Sequence, residues 1–486
     1  HMTKVYQDLR SFLDTLEEEG QLLHVTDEVL PEPGVSSACR AAARMQNGPA
    51  VMFDNIAGYP EGTRIVTNVH GSWANHALMM GMDKNTPTKE QFFELNRRWD
   101  AYPVEPKILS REEAPCKENT LDAAAGDDID LFHLLPLYRI NDQDAGCYFS
   151  KFALVSADPD DPDNFNKMNV GTYRIQVKDK DTLGIQVIPS HDMAVHLKKC
   201  EARNEPLHIA IALGNAPLVT FMASTPIGHE QNEYEFVGAL NDGVPAEIVR
   251  ADTDEHLFVP AGSEVILEGY IEPRVRKIEG PFGEFTGSVS GARRQLEAKI
   301  THVTYRTNPI FESLYIGMPW TECDYLVALN TSVPLFKQIQ RDMPEVVAVN
   351  AMYTHGMTEI ISMKPRYGGQ AATAAFRIMS TPHGAQYAHN VIVVDDFVDP
   401  FDLNQVMWAL STRVRPDKDV KVIPNCPGMT LNPTEEIPGI TAKLVIDATT
   451  PIDPEPVTRE VEMLSDPAET ADYAKLLAEL WAAKNK

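Results

Sequence analysis

Asn169-Val170-Gly171-Thr172-Tyr173-Arg174-Ile175-Gln176-Val177 has the make-up of a β-strand, with branched and aromatic residues around one glycine. Similar runs lie on either side, at Phe152-Ala153-Leu154-Val155-Ser156 and Glu264-Val265-Ile266-Leu267-Glu268-Gly269-Tyr270. They are short, β-branched and bounded by Asp, Gly and Pro clusters, which predicts a β-rich domain, a barrel, between about residues 130 and 310. A helix over 192–202 interrupts it. Side chains alternate across a strand, so Gly171 and Tyr173 share the face of Asn169 and Arg174 lies on the other. One strand thereby presents an oxygen ligand near its start and a cation opposite, and a twist or bulge at Gly171 brings them closer.

Outside this region the pattern is α/β. Leu9, Phe12, Leu13 and Leu16 fall at helical spacing before Gly20, a C-terminal stop. The apolar run Ala50-Val51-Met52-Phe53 and helical stretches near 74–81 and 89–97 follow. Residues 101–120, with Pro103, Pro106 and Pro115, read as a linker. Beyond about 320, strands such as Asn390-Val391-Ile392-Val393-Val394 alternate with helices such as 403–412. Asp466-Pro467 predicts the N-cap and first residue of a terminal helix, with Glu469 completing the box. Its stripe of Tyr473, Leu476, Leu477, Leu480 and Trp481 covers either its own domain or a partner subunit. The expected fold is a multidomain α/β protein: an α/β domain over 3–120, a β-barrel over 121–320 that binds cofactor and metal, and an α/β oligomerisation domain over 321–486.

With 486 residues, 43% hydrophobic and 23% charged, the chain has ample core for roughly three domains. A net charge of −27 argues against nucleic acid as a partner and requires locally placed cations or N–H groups for any anionic ligand. The six cysteines are scattered without a C-x-x-C pair, which suits a reducing cytoplasm and neither a zinc knuckle nor a disulfide framework. No apolar run approaches the ~20 residues of a membrane span, no signal peptide is present, and His1-Met2 reads as a tag remnant.

Chemistry concentrates in a few segments. Glu279-Gly280-Pro281-Phe282-Gly283-Glu284 holds two carboxylates in a turn that excludes helix and regular strand. Alone it is also the pattern of a surface turn with two solvated glutamates; buried together, such a pair has its pKa values driven apart. Pro189-Ser190-His191-Asp192 precedes a helix, and Asn232-Glu233-Tyr234-Glu235-Phe236 follows Ala223-Ser224-Thr225-Pro226. Asn169, His191 and Glu233 make an O/N/O set suited to Mn²⁺ or Mg²⁺ and without the thiolates of structural zinc. There is no G-x-G-x-x-G after a strand, no P-loop, no G-x-S-x-G and no H-E-x-x-H.

These segments, in this order, resemble the UbiD family of prenylated-flavin-dependent decarboxylases, as do Glu233–Leu240, Ile392–Asp396, Val406–Arg413 and Ala442–Thr449. Asp8–Leu13, Asn68–His76 and Glu312–Trp320 look like the large (C) subunit of its phenolic-acid (vanillate and 4-hydroxybenzoate) branch. The resemblance implies a central split β-barrel of flavin-reductase type. It implies Mn²⁺ held by Asn169, His191 and Glu233 against the phosphate of prenylated FMN, and K⁺ near Ala223, Ser224, Thr225, Glu233 and Arg413. Arg174, Glu279 and Glu284 match the catalytic set, and Tyr173, Ser190 and His383 complete the cofactor-binding positions. Two departures stand out: His383 aligns where a related branch has lysine, and Ser190 where it has glutamine.

The implied reaction is reversible, non-oxidative decarboxylation of a 4-hydroxylated aromatic acid such as vanillate, 4-hydroxybenzoate or protocatechuate, through a covalent adduct to prenylated FMN. Arg174 orients the carboxylate, Glu279 holds Arg174, and Glu284 protonates the ring carbon. The pocket is expected around Met318–Leu326 and Asn425–Leu431. The implied partners are a flavin prenyltransferase that supplies the cofactor and further copies of the chain, as a dimer or hexamer. Competing readings are a flavin-reductase-like FMN oxidoreductase, a UbiD-type decarboxylase of another unsaturated or heteroaromatic acid, and a non-catalytic cofactor carrier. A metal-only decarboxylase would want an H-x-H motif that is missing.

Overall fold

The computed structural model describes residues 3–189, 191–456 and 462–485. Its centre is a nine-stranded sheet that curls on itself. In order across the sheet run Cys147–Phe149, Arg174–Val177, Thr182–Gln186, Arg293–Tyr305, Val265–Glu279, Leu207–Leu213, Ala153–Ser156 and Asn169–Gly171, with Asn119–Asp122 also paired to Arg293–Tyr305. The predicted single strand 169–177 is thus two strands. Asn169–Gly171 closes one edge of the sheet, and Arg174–Val177 lies next to the other edge. In a flat sheet they would stand ~29 Å apart, six spacings of ~4.8 Å. Thr172 and Tyr173 alone connect them and reach at most ~11 Å. The two edges therefore meet, and the sheet is a split barrel. Leu154, Ile175, Ile185, Ile209, Leu267 and Val303 fill its interior.

Val265–Glu279 is the longest strand and carries a site residue at its end. It pairs with Arg293–Tyr305, slips register between Ile271 and Arg276, and resumes through Glu279↔Arg293. Gly280 then turns the chain at φ +84°, and Phe282–Gly283 pairs with Val289–Ser290 in a small hairpin.

The flanking layers are as expected in kind. Leu9–Glu18 is capped by Asp8, which accepts the Ser11 N–H, and it buries Leu9, Phe12, Leu13 and Leu16. It lies beside a four-stranded sheet of Leu22–Val25, Ala50–Phe53, Arg64–Thr67 and Ile310–Glu312. A five-stranded sheet, Val346–Tyr353, Thr358–Met363, Asn390–Asp395, Ile440–Ala448 and Val420–Pro427 in that order, forms the C-terminal layer. One apolar core joins these layers, from Phe12 through Phe92, Phe236 and Phe336 to Val391 and Val445.

Two expectations are corrected. The stretch read as a linker contains the strand Lys107–Leu109, paired in parallel with Glu247–Arg250; three residues, Lys-Ile-Leu, are too few to show a period. The terminal helix runs Thr470–Lys484, with Glu469 rather than Asp466 at its cap, because the Thr470 N–H bonds the Pro467 carbonyl in a turn of its own. None of its residues is buried, and Trp481 is 74% exposed. All six cysteines are free, and among the described residues no helix is long and apolar enough to cross a membrane.

Candidate active site

Arg174, Glu279 and Glu284 meet on the outer face of the barrel. Glu279 is fully buried, and a Cβ on Gly184 would come within 3.2 Å of its Cγ and 3.0 Å of Lys178 Cδ, a tight fit that glycine relieves. Arg174 grips it with two bonds, Nε to Oε1 at 2.6 Å and Nη2 to Oε2 at 2.7 Å. The third nitrogen, Nη1, donates to Glu284 Oε1 at 2.8 Å and to Ser290 Oγ at 2.5 Å. A Cβ on Gly280 would strike Arg174 Nη2, so glycine there serves both the left-handed turn and the guanidinium.

Electrostatics separates the two acids. Two carboxylates and one guanidinium carry one negative charge too many for a buried place. Burial pushes Glu284 above the usual carboxylate range; the Arg174 bond and charge pull it down, and Glu279 pushes it up again. For Arg174 burial acts downward, but its bonds to Glu279 and Glu284 outweigh it, so it stays cationic.

Several partners of this trio were not foreseen. Tyr148 Oη donates to Glu279 Oε1 at 2.8 Å. Asp144 Oδ1 accepts the Gly283 N–H at 2.7 Å, and Ala145 donates its N–H to the Pro281 carbonyl at 2.8 Å. Gln176 Oε1 accepts the Gly280 N–H at 3.1 Å. Tyr148, Asp144 and Ala145 are distant in sequence and carry no motif to betray them, and Gln176, two residues from Arg174, looks like any strand residue.

Across the barrel's split lies the second group. Asn169 Nδ2 donates to Tyr173 Oη at 2.6 Å, and the Tyr173 ring stands 5.3 Å from the His191 ring. Glu233 is the first residue of the helix Glu233–Leu240 and lies near the Val170 N–H, which counters part of the effect of burial on its proton affinity. Its Oε2 is buried without a partner, and burial raises its proton affinity well above the ordinary value. Burial also lowers the His191 pKa, which keeps the imidazole neutral. An orphaned carboxylate oxygen beside an amide and a neutral imidazole fits a hard divalent cation. Ser224 and Thr225 follow the C-terminus of the helix Pro217–Ala223, where the Thr220, Phe221 and Met222 carbonyls already accept bonds from Ser224, Thr225 and Asn330. Ser224 Oγ lies 3.5 Å from Thr172 Oγ1, at the split.

Not every expected residue joins. Arg413 stacks over Trp408 and bonds Met463 and Thr412, and none of its hydrogen bonds is to Ala223, Ser224, Thr225 or Glu233. Ser190 lies outside the described residues. His383 stacks on Tyr387 with ring centroids 4.4 Å apart, and its Nε2 bonds the His355 carbonyl at 3.0 Å. Burial lowers it to about 4, so it too is neutral.

These residues form the wall facing Glu284. His355 stacks on Phe285 at 3.8 Å, and Phe285 packs with Met357, Met429, Tyr387 and Leu431. Glu284 acts electrostatically on both Tyr387 and Cys323. Met429 and Leu431, from the expected 425–431 segment, thus pack on the residue next to the acid, and Cys323, from 318–326, feels its charge.

A different cluster, Asp252, Glu268 and His302, also has ligand-like spacing. It is already neutralised: Lys117 Nζ stands 3.1 Å from Asp252 and 3.7 Å from Glu268, and Arg111 pairs with Asp252 at 3.0 Å. It is a buried ion-pair network with no need of a metal.

The structure thus joins a split barrel, an arginine clamped between two acids, and at the split a buried carboxylate with an unpartnered oxygen. Models of the 3-octaprenyl-4-hydroxybenzoate carboxy-lyase N-terminal, Rift-related and C-terminal domains match residues 13–95, 107–319 and 324–448, and the chain belongs to the UbiD family. It is 63% identical over 486 residues to a phenolic acid decarboxylase of Sedimentibacter hydroxybenzoicus, covering 100% of both chains. It superposes on the structure of vanillic acid decarboxylase (ShVdcCD) from that organism, in open form, with a TM-score of 0.92 at 63% identity, covering 99% and 100% of the two chains. It also matches an evolved dimeric form of the UbiD-class enzyme HmfF from Pelotomaculum thermopropionicum in complex with prFMN, at a TM-score of 0.80 and 28% identity, covering 96% and 100%.

Proposed function

We propose that the chain catalyses reversible decarboxylation of a 4-hydroxylated aromatic acid such as vanillate, 4-hydroxybenzoate or protocatechuate, with prenylated FMN, Mn²⁺ and K⁺ bound. The relative that is a vanillic acid decarboxylase supports the substrate class, and the HmfF complex supports the flavin. Asn169, His191 and Glu233 would hold Mn²⁺ at the flavin phosphate; Ala223, Ser224, Thr225 and Glu233 would hold K⁺, and Tyr173 and His383 would border the cofactor. The flavin supplies an electron sink for the carbon that loses CO₂, which no side chain offers.

The rest is done by the chain. Glu279 fixes the plane of Arg174, and Nη1 marks where a carboxylate oxygen is held. Glu284 carries a proton at a buried oxygen and delivers it to the ring carbon once CO₂ has left. Phe285, Met357 and Met429 keep water from that carbon. A homo-oligomer, cytoplasmic and charged with cofactor by a flavin prenyltransferase, completes the reading; the uncovered stripe of Thr470–Lys484 is its natural contact surface.

The observation that carries this is the asymmetric clamp: two bonds to fully buried Glu279, one to Glu284. The test is Glu284→Gln. It should retain flavin and metal, by absorbance and elemental analysis, and lose CO₂ release from all three phenolic acids. Near-normal turnover by that variant would overturn the role.

A further inference from the structure

The split of roles between the two glutamates needs something that treats Glu279 differently from Glu284. Arginine alone does not decide it, because Arg174 bonds both acids. The difference lies in Tyr148, on the strand Cys147–Phe149. Its hydroxyl gives Glu279 a third donor, at 2.8 Å on the oxygen that also receives Arg174 Nε. Glu284 has one charged donor, and a Ser290 hydroxyl only at 3.5 Å. A carboxyl with three donors pointed at it has no acceptor to which its own proton could turn; one with a single strong donor has an oxygen to spare.

We propose that Tyr148 is a positioning residue that, through Glu279, assigns the shared proton of the pair to Glu284. The inference rests on Glu284 being the proton donor and adds what makes it so. The tyrosine is held for this task. Its ring packs on Phe282 at 4.2 Å, and the Arg174 guanidinium lies 5.3 Å from the centre of the Phe282 ring. Burial and the neighbouring Glu279 drive the phenol's pKa upward, so it remains a donor. The other charged groups around Glu279 are spoken for. Lys178, whose Cδ also borders Gly184, bonds Glu297 at 3.1 Å. Asp144 bonds backbone N–H groups, Arg293 pairs with Glu279 by backbone register and is exposed, and Glu284 faces Arg174.

Tyr148→Phe keeps the ring and removes the hydroxyl. In the full-length protein with Glu284→Gln in both arms, only Glu279 of the pair titrates. Its infrared carboxyl band, assigned as the one that Glu279→Gln deletes, should move to higher pH by about one unit or more without the hydroxyl, the usual worth of a hydrogen bond to a charged acceptor. In the cofactor-loaded enzyme, Tyr148→Phe alone should lower kcat about tenfold or more with KM nearly unchanged, the signature of a misplaced proton rather than lost binding. A Glu279 midpoint that ignores the hydroxyl overturns the proposal. If the midpoint moves yet Glu284→Gln still turns over, the assignment of Glu284 as donor falls, and Tyr148 stands as the group that sets Glu279.

Discussion

Gly280→Ala should disable the site from a position that carries no chemistry. Gly280 sits at φ +84°, where an L-residue costs ~1–2 kcal/mol. The larger penalty is steric. The added methyl would occupy the space of Arg174 Nη2 and come within 3.2 Å of the Gly291 carbonyl. The backbone cannot yield easily, because Gln176 holds the Gly280 N–H and Ala145 holds the next carbonyl. The guanidinium must therefore leave Glu279, which is 0% exposed. Breaking a buried pair from one side costs ~3–5 kcal/mol. The sum is ~4–7 kcal/mol, a large share of the ~5–15 kcal/mol that holds an ordinary domain. Thermal unfolding should show an earlier transition, by about 10 °C or more, and CO₂ release should fall in parallel with loss of the Arg174–Glu284 contact. Gly291→Ala is the control: nothing lies within 4 Å of its added carbon. Wild-type melting and CO₂ release within threefold for Gly280→Ala would refute the reasoning.

The proton donor must be protonated when it acts, so turnover should fall as pH rises through the Glu284 pKa, which burial holds above its ordinary 4.5. Ser290 lowers that pKa by its hydroxyl, so Ser290→Ala should move the falling limb to higher pH in a pH–rate profile. Lys151 Nζ bridges buried Glu312 and Glu322 at 2.8 and 2.7 Å; Lys151→Met should cost ~3–5 kcal/mol in denaturant titration, and added Glu312→Gln should restore part of it. Glu233→Ala should purify without bound manganese by elemental analysis; unchanged metal content would place the ion elsewhere.

What could be read in the sequence follows from how local its causes are. The helix Asp192–Ala202 was legible because its apolar spacing is local. So was the glutamate turn, because Gly280 and Pro281 state their backbone preferences themselves. The strand Val265–Glu279 was seen only to Tyr270. Beyond it Pro273 speaks against a strand interior although Ile271 to Arg276 alternate, and the continuation depends on a partner strand. The division of 169–177 was hidden for the same reason. Nothing in Thr172-Tyr173 says that two sheet edges meet there; that is decided by strands drawn from all over the barrel. Tyr148, Asp144 and Ser290 act on the clamp only in three dimensions, and Glu359, buried with both oxygens unpartnered, sits in a strand that reads as ordinary core.

The two-residue bridge at Thr172-Tyr173 gives the barrel a slit along which the end strands share no ladder among the described residues. Asn169 stands on one lip, and Arg174 on the strand next to the other. A ligand that grips both therefore acts as a lace, closing a ring that the backbone leaves open. Amide hydrogen exchange along Asn169–Gly171 and Arg174–Val177 should slow when the slit is laced. That makes the barrel its own gauge of occupancy, readable in protein that turns nothing over.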